Sequence, residues 1–274
     1  MIAERPCFVN LSVDTHLAAF PRTPALMHLI PANPELAFPG TQAKVDAMHY
    51  AIGRGCGLRR DSFWPQFTPF ELQQIQQVRN PGTLFVYEHG CYSTQDHWPM
   101  AGVPPIHTGY EKLFQPLLDI GASHVGLGFN PWHVIDTHER FPDLLRRITR
   151  RVGYRIRPAV VWSLQKTGNS AILLGLMNDG VATPSGILTV KAEFDAGPPL
   201  EIELPPGQPR PGLMQLFPFA LPADFARQGN TTASLTLSIR LGGKRYPVRW
   251  AVRDGTAADA EGYVLRFPLP EKFG

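Results

Sequence analysis

The sequence predicts two folds in one chain: an α/β segment built on a parallel sheet, then an all-β antiparallel segment. Three observations carry this. Helix-patterned and strand-patterned stretches alternate through residues 1–153, the arrangement expected of βα units. After Gly153 short alternating strands take over, with Pro or Gly in nearly every gap, the mark of an antiparallel β-sandwich. An unbroken apolar run, Leu84-Phe85-Val86-Tyr87, ends on a carboxylate, Glu88. In parallel α/β sheets ligands bind at the carboxyl ends of the strands.

The elements follow in order. Residues 11–20 have helical spacing (Leu11, Leu17, Ala18), and 23–30 form a buried strand. Residues 43–54 make an amphipathic helix with Val45, Met48, Tyr50 and Ile52 on its apolar side, ended by Gly53 and Gly55. A short strand, 57–61, leads to a helix over 68–78. Thr68 is its N-cap, Pro69 its first residue, and Glu71 closes a capping box. The run 84–87 has the composition of a strand buried on both faces. Leu113, Phe114, Leu117 and Leu118 give 110–120 helical periodicity; 123–130 is the next strand, and 141–152 the last helix, burying Leu144, Leu145 and Ile148. Beyond the boundary, strands are expected at 159–164, 171–178, 186–194, 200–204, 233–241, 246–252 and 262–267. The domains are therefore 1–153 and 154–274.

Composition narrows the function classes. The 274 residues suffice for one or two domains, and 43% hydrophobic content excludes disorder. The net charge of +3 is spread out except for Arg146-Arg147 and Arg150-Arg151, a solvated helix face rather than a nucleic-acid site. Cys7, Cys56 and Cys91 are too few and too irregular for a disulfide framework or zinc site. Cys56 and Cys91 belong at opposite ends of the sheet. None of the nine histidines has His-Glu-x-x-His spacing, and neither a Cys-x-x-Cys pair, a phosphate loop nor a Gly-x-Ser-x-Gly elbow is present. No cofactor or metal is expected. No apolar run reaches transmembrane length and the N-terminus lacks signal-peptide architecture, so the chain as written is expected to be cytoplasmic and without a membrane partner.

Four strings carry a resemblance: Ala47-Met48-His49-Tyr50-Ala51-Ile52 with Gly57-Leu58-Arg59-Arg60-Asp61; Glu88-His89-Gly90; Asn130-Pro131-Trp132; and Arg151-Val152-Gly153-Tyr154-Arg155. Over most of its length the chain resembles the C-terminal part of bacterial glycoside-hydrolase-like proteins with a (β/α)8 barrel followed by a β-sandwich. The wider group is the retaining-glycosidase barrel clan. The resemblance implies the C-terminal half of a (β/α)8 (TIM) barrel, strands five to eight, followed by an antiparallel β-sandwich. In that clan the nucleophile is a glutamate ending the seventh strand, where Glu88 falls. The clan's acid/base ends the fourth strand, and nothing before Thr23 supplies one. The resemblance thus implies a gene fragment, a barrel completed by dimerisation, or a missing half on a separate polypeptide.

The chemistry expected at the strand ends follows. Retaining hydrolysis uses two carboxyl groups about 5–5.5 Å apart. Asp61 ends the strand beside that of Glu88 and is either a second carboxylate, a sugar contact, or a partner of Arg59 or Arg60. Arg60 either keeps Glu88 ionised or lies exposed on the rim. His89 is a sugar contact or structural. Asn130, Trp132 and Tyr92 are expected at the rim, where Trp132 stacks on a sugar or packs between domains. The expected ligand is a carbohydrate. The rival reading is a non-catalytic carbohydrate-binding or structural module, with Glu88 a ligand contact, a helix cap or an ion-pair partner.

Overall fold

The computed structural model describes residues 5–28, 41–60, 72–73, 75–76, 82–88, 115, 117–126, 135, 138–166, 169–195, 197–221, 232–252 and 259–268. The chain divides into two compact units, Met1–Gly153 and Tyr154–Gly274. It is a mixed α/β unit followed by a β unit.

The first unit runs α1 (Arg5–Ala19), β1 (Leu26–His28), α2 (Thr41–Gly53), β2 (Gly57–Arg60), β3 (Phe85–Glu88), β4 (His124–Gly126) and α3 (Pro142–Thr149). Helical residues also lie at 72–73 and 75–76, between β2 and β3, and at 115 and 117–119, between β3 and β4. The four strands pair in parallel in the order β1-β2-β3-β4. Parallel neighbours need a crossover, which the intervening helical segments supply.

Two helix-to-strand turns show how the sequence sets this up. Cys56 N–H donates to Ala51 O at 2.9 Å and Gly55 N–H to Ile52 O at 2.9 Å, with Gly55 at φ 91°. Ala122 N–H donates to Leu117 O at 3.0 Å and Gly121 N–H to Leu118 O at 3.1 Å, with Gly121 at φ 70°. Both are Schellman closures, where a residue with a Cβ would be strained. Each turns the chain straight into the next strand.

Val45, Met48 and Ile52 of α2, Ile75, Leu117, Ile120, Leu144 and Ile148 pack on Leu58, Phe85 and Tyr87 of the sheet. Among the described residues the helices cover one sheet face. Leu84 and Val86, which alternate with the buried Phe85 and Tyr87, are half-buried, so the expected two-sided burial of 84–87 is corrected to alternation. An apolar, β-branched run does not reveal whether its second face is covered. Tyr50 also leaves the buried face assigned to it and donates its hydroxyl to Asp14 of α1. Leu11, one of the residues that give this helix its spacing, is 63% exposed.

The second unit holds two antiparallel sheets. One has the order β5 (Ile156–Lys166), β6 (Asn169–Asn178), β9 (Met214–Leu221). The other runs β11 (Lys244–Val248), β10 (Thr232–Leu241), β7 (Ile187–Phe194), β8 (Leu200–Glu203), with β12 (Val264–Pro268) also pairing β10. Along β10, Ala233, Leu235, Leu237 and Ile239 point inward, and Thr232, Ser234, Thr236 and Ser238 alternate with them. They meet Ile172, Leu174, Leu176, Phe217 and Phe219 of the other sheet in one core.

The outer faces of these sheets differ. That of the five-stranded sheet carries cross-strand ion pairs, Arg240–Glu203 and Arg245–Glu201. That of the three-stranded sheet shows Trp162, Leu164, Met214 and Leu216 at 40–48% exposure.

Two sequence expectations are corrected. Strand β9 was missed because Pro218 interrupts its alternation. Pro218 is tolerated because β9 is an edge strand. The strand expected at 246–252 instead begins at Lys244, in a hairpin turned by Gly242 and Gly243, both at positive φ. Residues 249–252 lie outside it, where Trp250 is buried and donates its indole N–H to Leu235 O at 3.2 Å.

Candidate functional site

The carboxyl ends of the four parallel strands carry His28, Arg60, Glu88 and Gly126. Register fixes their order across the sheet: His28 lies opposite Arg59, Arg60 opposite Tyr87, and Glu88 opposite Gly126. Arg60 and Glu88 therefore end adjacent strands, one residue out of step. The sequence-predicted pair is brought to the same edge.

Arg60 is 8% exposed. That overturns the reading of a solvated rim arginine. It shares a face with Leu58 and Tyr87, which face the helices, because parallel register partners lie on the same side of a sheet. A guanidinium stays charged at any physiological pH, and burial at this level is costly unless it is compensated. Arg60 is indeed engaged in an interaction. The opposite face is more open: Arg59 and Val86 are half-buried, and His28, His124 and Gly126 are exposed.

Glu88 closes β3, and its backbone is paired to β4. The four strands read LMH, GLRR, FVYE and HVG, so Glu88 is their single carboxylate. Asp61, His89, Tyr92, Asn130 and Trp132 lie outside the described residues, as do the Thr68 cap and Cys91. The sequence reading singled out Arg60 and Glu88 but passed over His28 at the end of β1. A histidine closing a three-residue strand gives no sequence signal of its own.

Other reactive groups lie away from this edge. Cys56 is buried just before β2, at the opposite end of the strand from Arg60, and burial pushes its thiol pKa up. That disfavours the thiolate a nucleophile needs. Asp14 accepts from the Tyr50 hydroxyl at 2.5 Å and from Arg54 Nε at 2.9 Å. The Tyr50 hydrogen bond and the Arg54 cation hold its carboxyl below the ordinary value of 3.8, and Asp14 in turn raises the Tyr50 phenol. This trio fastens α1 to α2. Among the described residues no group of three or more His, Cys, Asp or Glu is placed to hold a metal, and no helix is long and apolar enough to cross a membrane.

Comparison with known proteins adds little to this geometry. No family model matches the chain, and no curated protein matches it. Among solved structures, the chain has a remote similarity to a Bifidobacterium adolescentis GH3 β-glucosidase. The identity is 12% and the TM-score 0.21, over 84% of this chain and 43% of that one. The chain thus spans less than half the length of that glucosidase.

Proposed function

We propose that this chain belongs to a carbohydrate-active, glycoside-hydrolase-like protein, with the parallel sheet as strands five to eight of a (β/α)8 barrel and Glu88 as its nucleophile. One observation carries the reading. Glu88 is the single carboxylate on the four strands, and it ends the strand beside that of the buried Arg60. In this reading the Glu88 carboxylate attacks the anomeric carbon while an acid protonates the departing oxygen. Water then cleaves the glycosyl ester. Arg60, on the helix-covered face with Leu58 and Tyr87, anchors the end of the neighbouring strand. Asp61, or a carboxylate on a second polypeptide that completes the barrel, serves as the acid. Tyr92, His89, Asn130 and Trp132 contact the sugar from the rim.

A second reading is favoured by the same count. One strand-end carboxylate is half of what retention requires, and a site with one carboxylate binds sugar without cleaving it. A panel of aryl glycosides separates the two. The hydrolase reading expects turnover that falls at least about a hundredfold in Glu88→Gln, with the melting temperature held within a few degrees. Turnover unaffected by Glu88→Gln removes Glu88 from the chemistry. Saturable sugar binding without turnover, weakened by Glu88→Gln, supports the binding module.

A further inference from the structure

Helix α3 and the turn that follows it carry two kinds of arginine. Arg146 pairs with Asp143 at 2.9 Å and its side chain is 61% exposed, as expected of a solvated face. Arg147, Arg150 and Arg151 instead line a cavity of about 390 Å³ beside the helical residues 115 and 117–119. The spacing explains why. Leu144, Arg147 and Ile148 fall at i, i+3 and i+4, on one side of the helix, and Arg150 and Arg151 follow in the turn that closes it. Leu144 and Ile148 are buried, so the arginines stand over an apolar floor that Leu118 completes from the facing segment. Gln115 supplies the one uncharged polar side chain of the lining.

Among the described residues that line this cavity the charge is one-sided, because none of them is acidic. Asp119, one turn from Gln115, accepts from the Gln115 amide at 2.8 Å. Among the described residues the Arg150 and Arg151 side chains have no ion-pair partner. Cations do favour a helix C-terminus, but that end carries only about half a negative charge. The guanidiniums of Arg150 and Arg151 alone exceed it, and their mutual repulsion is relieved by an anion. Guanidinium forks match phosphate oxygens two at a time. The volume lies within the range of small-molecule sites.

We infer that this cavity is a binding site for a phosphate monoester with an apolar body, its phosphate held by Arg147, Arg150 and Arg151 and its body resting on Leu118, Leu144 and Ile148. The site is independent of the strand-end chemistry proposed for Glu88, and either stands if the other falls.

The test is calorimetric titration of the full chain at low ionic strength with three probes: phenyl phosphate, inorganic phosphate and phenol. Phenyl phosphate is expected to bind at one site, at least about tenfold more tightly than either of the others. The Arg150→Gln/Arg151→Gln double variant is expected to weaken it at least about tenfold. Both substitutions fall on exposed side chains, so the melting temperature should stay within a few degrees. Three results overturn the proposal. Absence of phenyl phosphate binding removes the site. Equal binding of phenyl and inorganic phosphate leaves only a surface cation cluster. Unchanged binding in the double variant puts the anion elsewhere.

Discussion

At the residue scale, Asn178 shows how one side chain organises a fold. It is fully buried at the end of β6. Its Oδ1 accepts from Arg155 N–H at 2.9 Å and Gly180 N–H at 3.0 Å; its Nδ2 donates to Ala182 O at 2.8 Å and Pro209 O at 3.1 Å. The amide's two donors and two lone pairs are thus all used. A carboxylate there keeps the two acceptor bonds but faces two carbonyls with no hydrogen to offer. Asn178→Asp is expected to lower stability by about 2–4 kcal/mol at neutral pH. Burial and the carbonyls raise the folded pKa of the new acid above its unfolded value of about 3.9. The penalty should therefore shrink as pH falls toward that unfolded value, and grow as pH rises through the folded one. Urea melts at neutral pH and near pH 4 check this; a pH-independent loss would contradict it. Nothing in the local sequence, Met177-Asn178-Asp179-Gly180, marks this residue as a hub. It reads as a turn, because its partners arrive from distant positions.

At the element scale, backbone spacing constrains side chains as firmly as burial does. Gly175 of β6 lies opposite Val160 of β5, and a Cβ added at Gly175 would stand 2.4 Å from Val160 Cγ2. Gly175→Ala is expected to cost about 1–3 kcal/mol. Val160→Ala in the same chain should recover most of that, leaving a clear coupling energy in a double-mutant cycle. Additive losses would show that the clash is relieved in another way. Gly57, which opens β2, is tighter against backbone: its Cβ would lie 2.6 Å from Leu84 O. The strand pattern was legible at this scale wherever residues alternated cleanly, as along β10. It was lost where Pro218 broke the rhythm of β9, and at β3, where composition alone did not show that the helices cover one face. Arg60 was picked out as a site residue, but its burial depends on helices that the local sequence does not reveal.

At the scale of the whole molecule, the two units keep separate cores. The first draws on residues 45–148 and the second on 156–265. Each is expected to melt as its own cooperative transition. Leu58→Ala should lower only the transition of the first unit and Leu188→Ala only that of the second, each by about 2–5 kcal/mol. Calorimetry with both variants checks this, and a single transition moved by either change would show one cooperative body. The change of pattern after Gly153 was visible as a switch from helical to two-residue periodicity. The order of strands within each sheet was not, since register depends on contacts far apart in sequence.

The Asn178 hub has a consequence for the ageing of the β unit. Asparagine amides are among the thermolabile groups of proteins, and their loss begins when the next backbone nitrogen attacks the side-chain carbonyl carbon. Here that nitrogen, Asp179 N–H, donates to Arg155 O at 2.9 Å, while the amide is held on all sides. Folded molecules are protected, and only those whose β unit has opened lose ammonia. Water then opens the cyclic imide to an aspartyl or isoaspartyl residue, and neither restores the two donors that Ala182 O and Pro209 O accept from. The chemical state of one amide thereby records how often this unit has come apart.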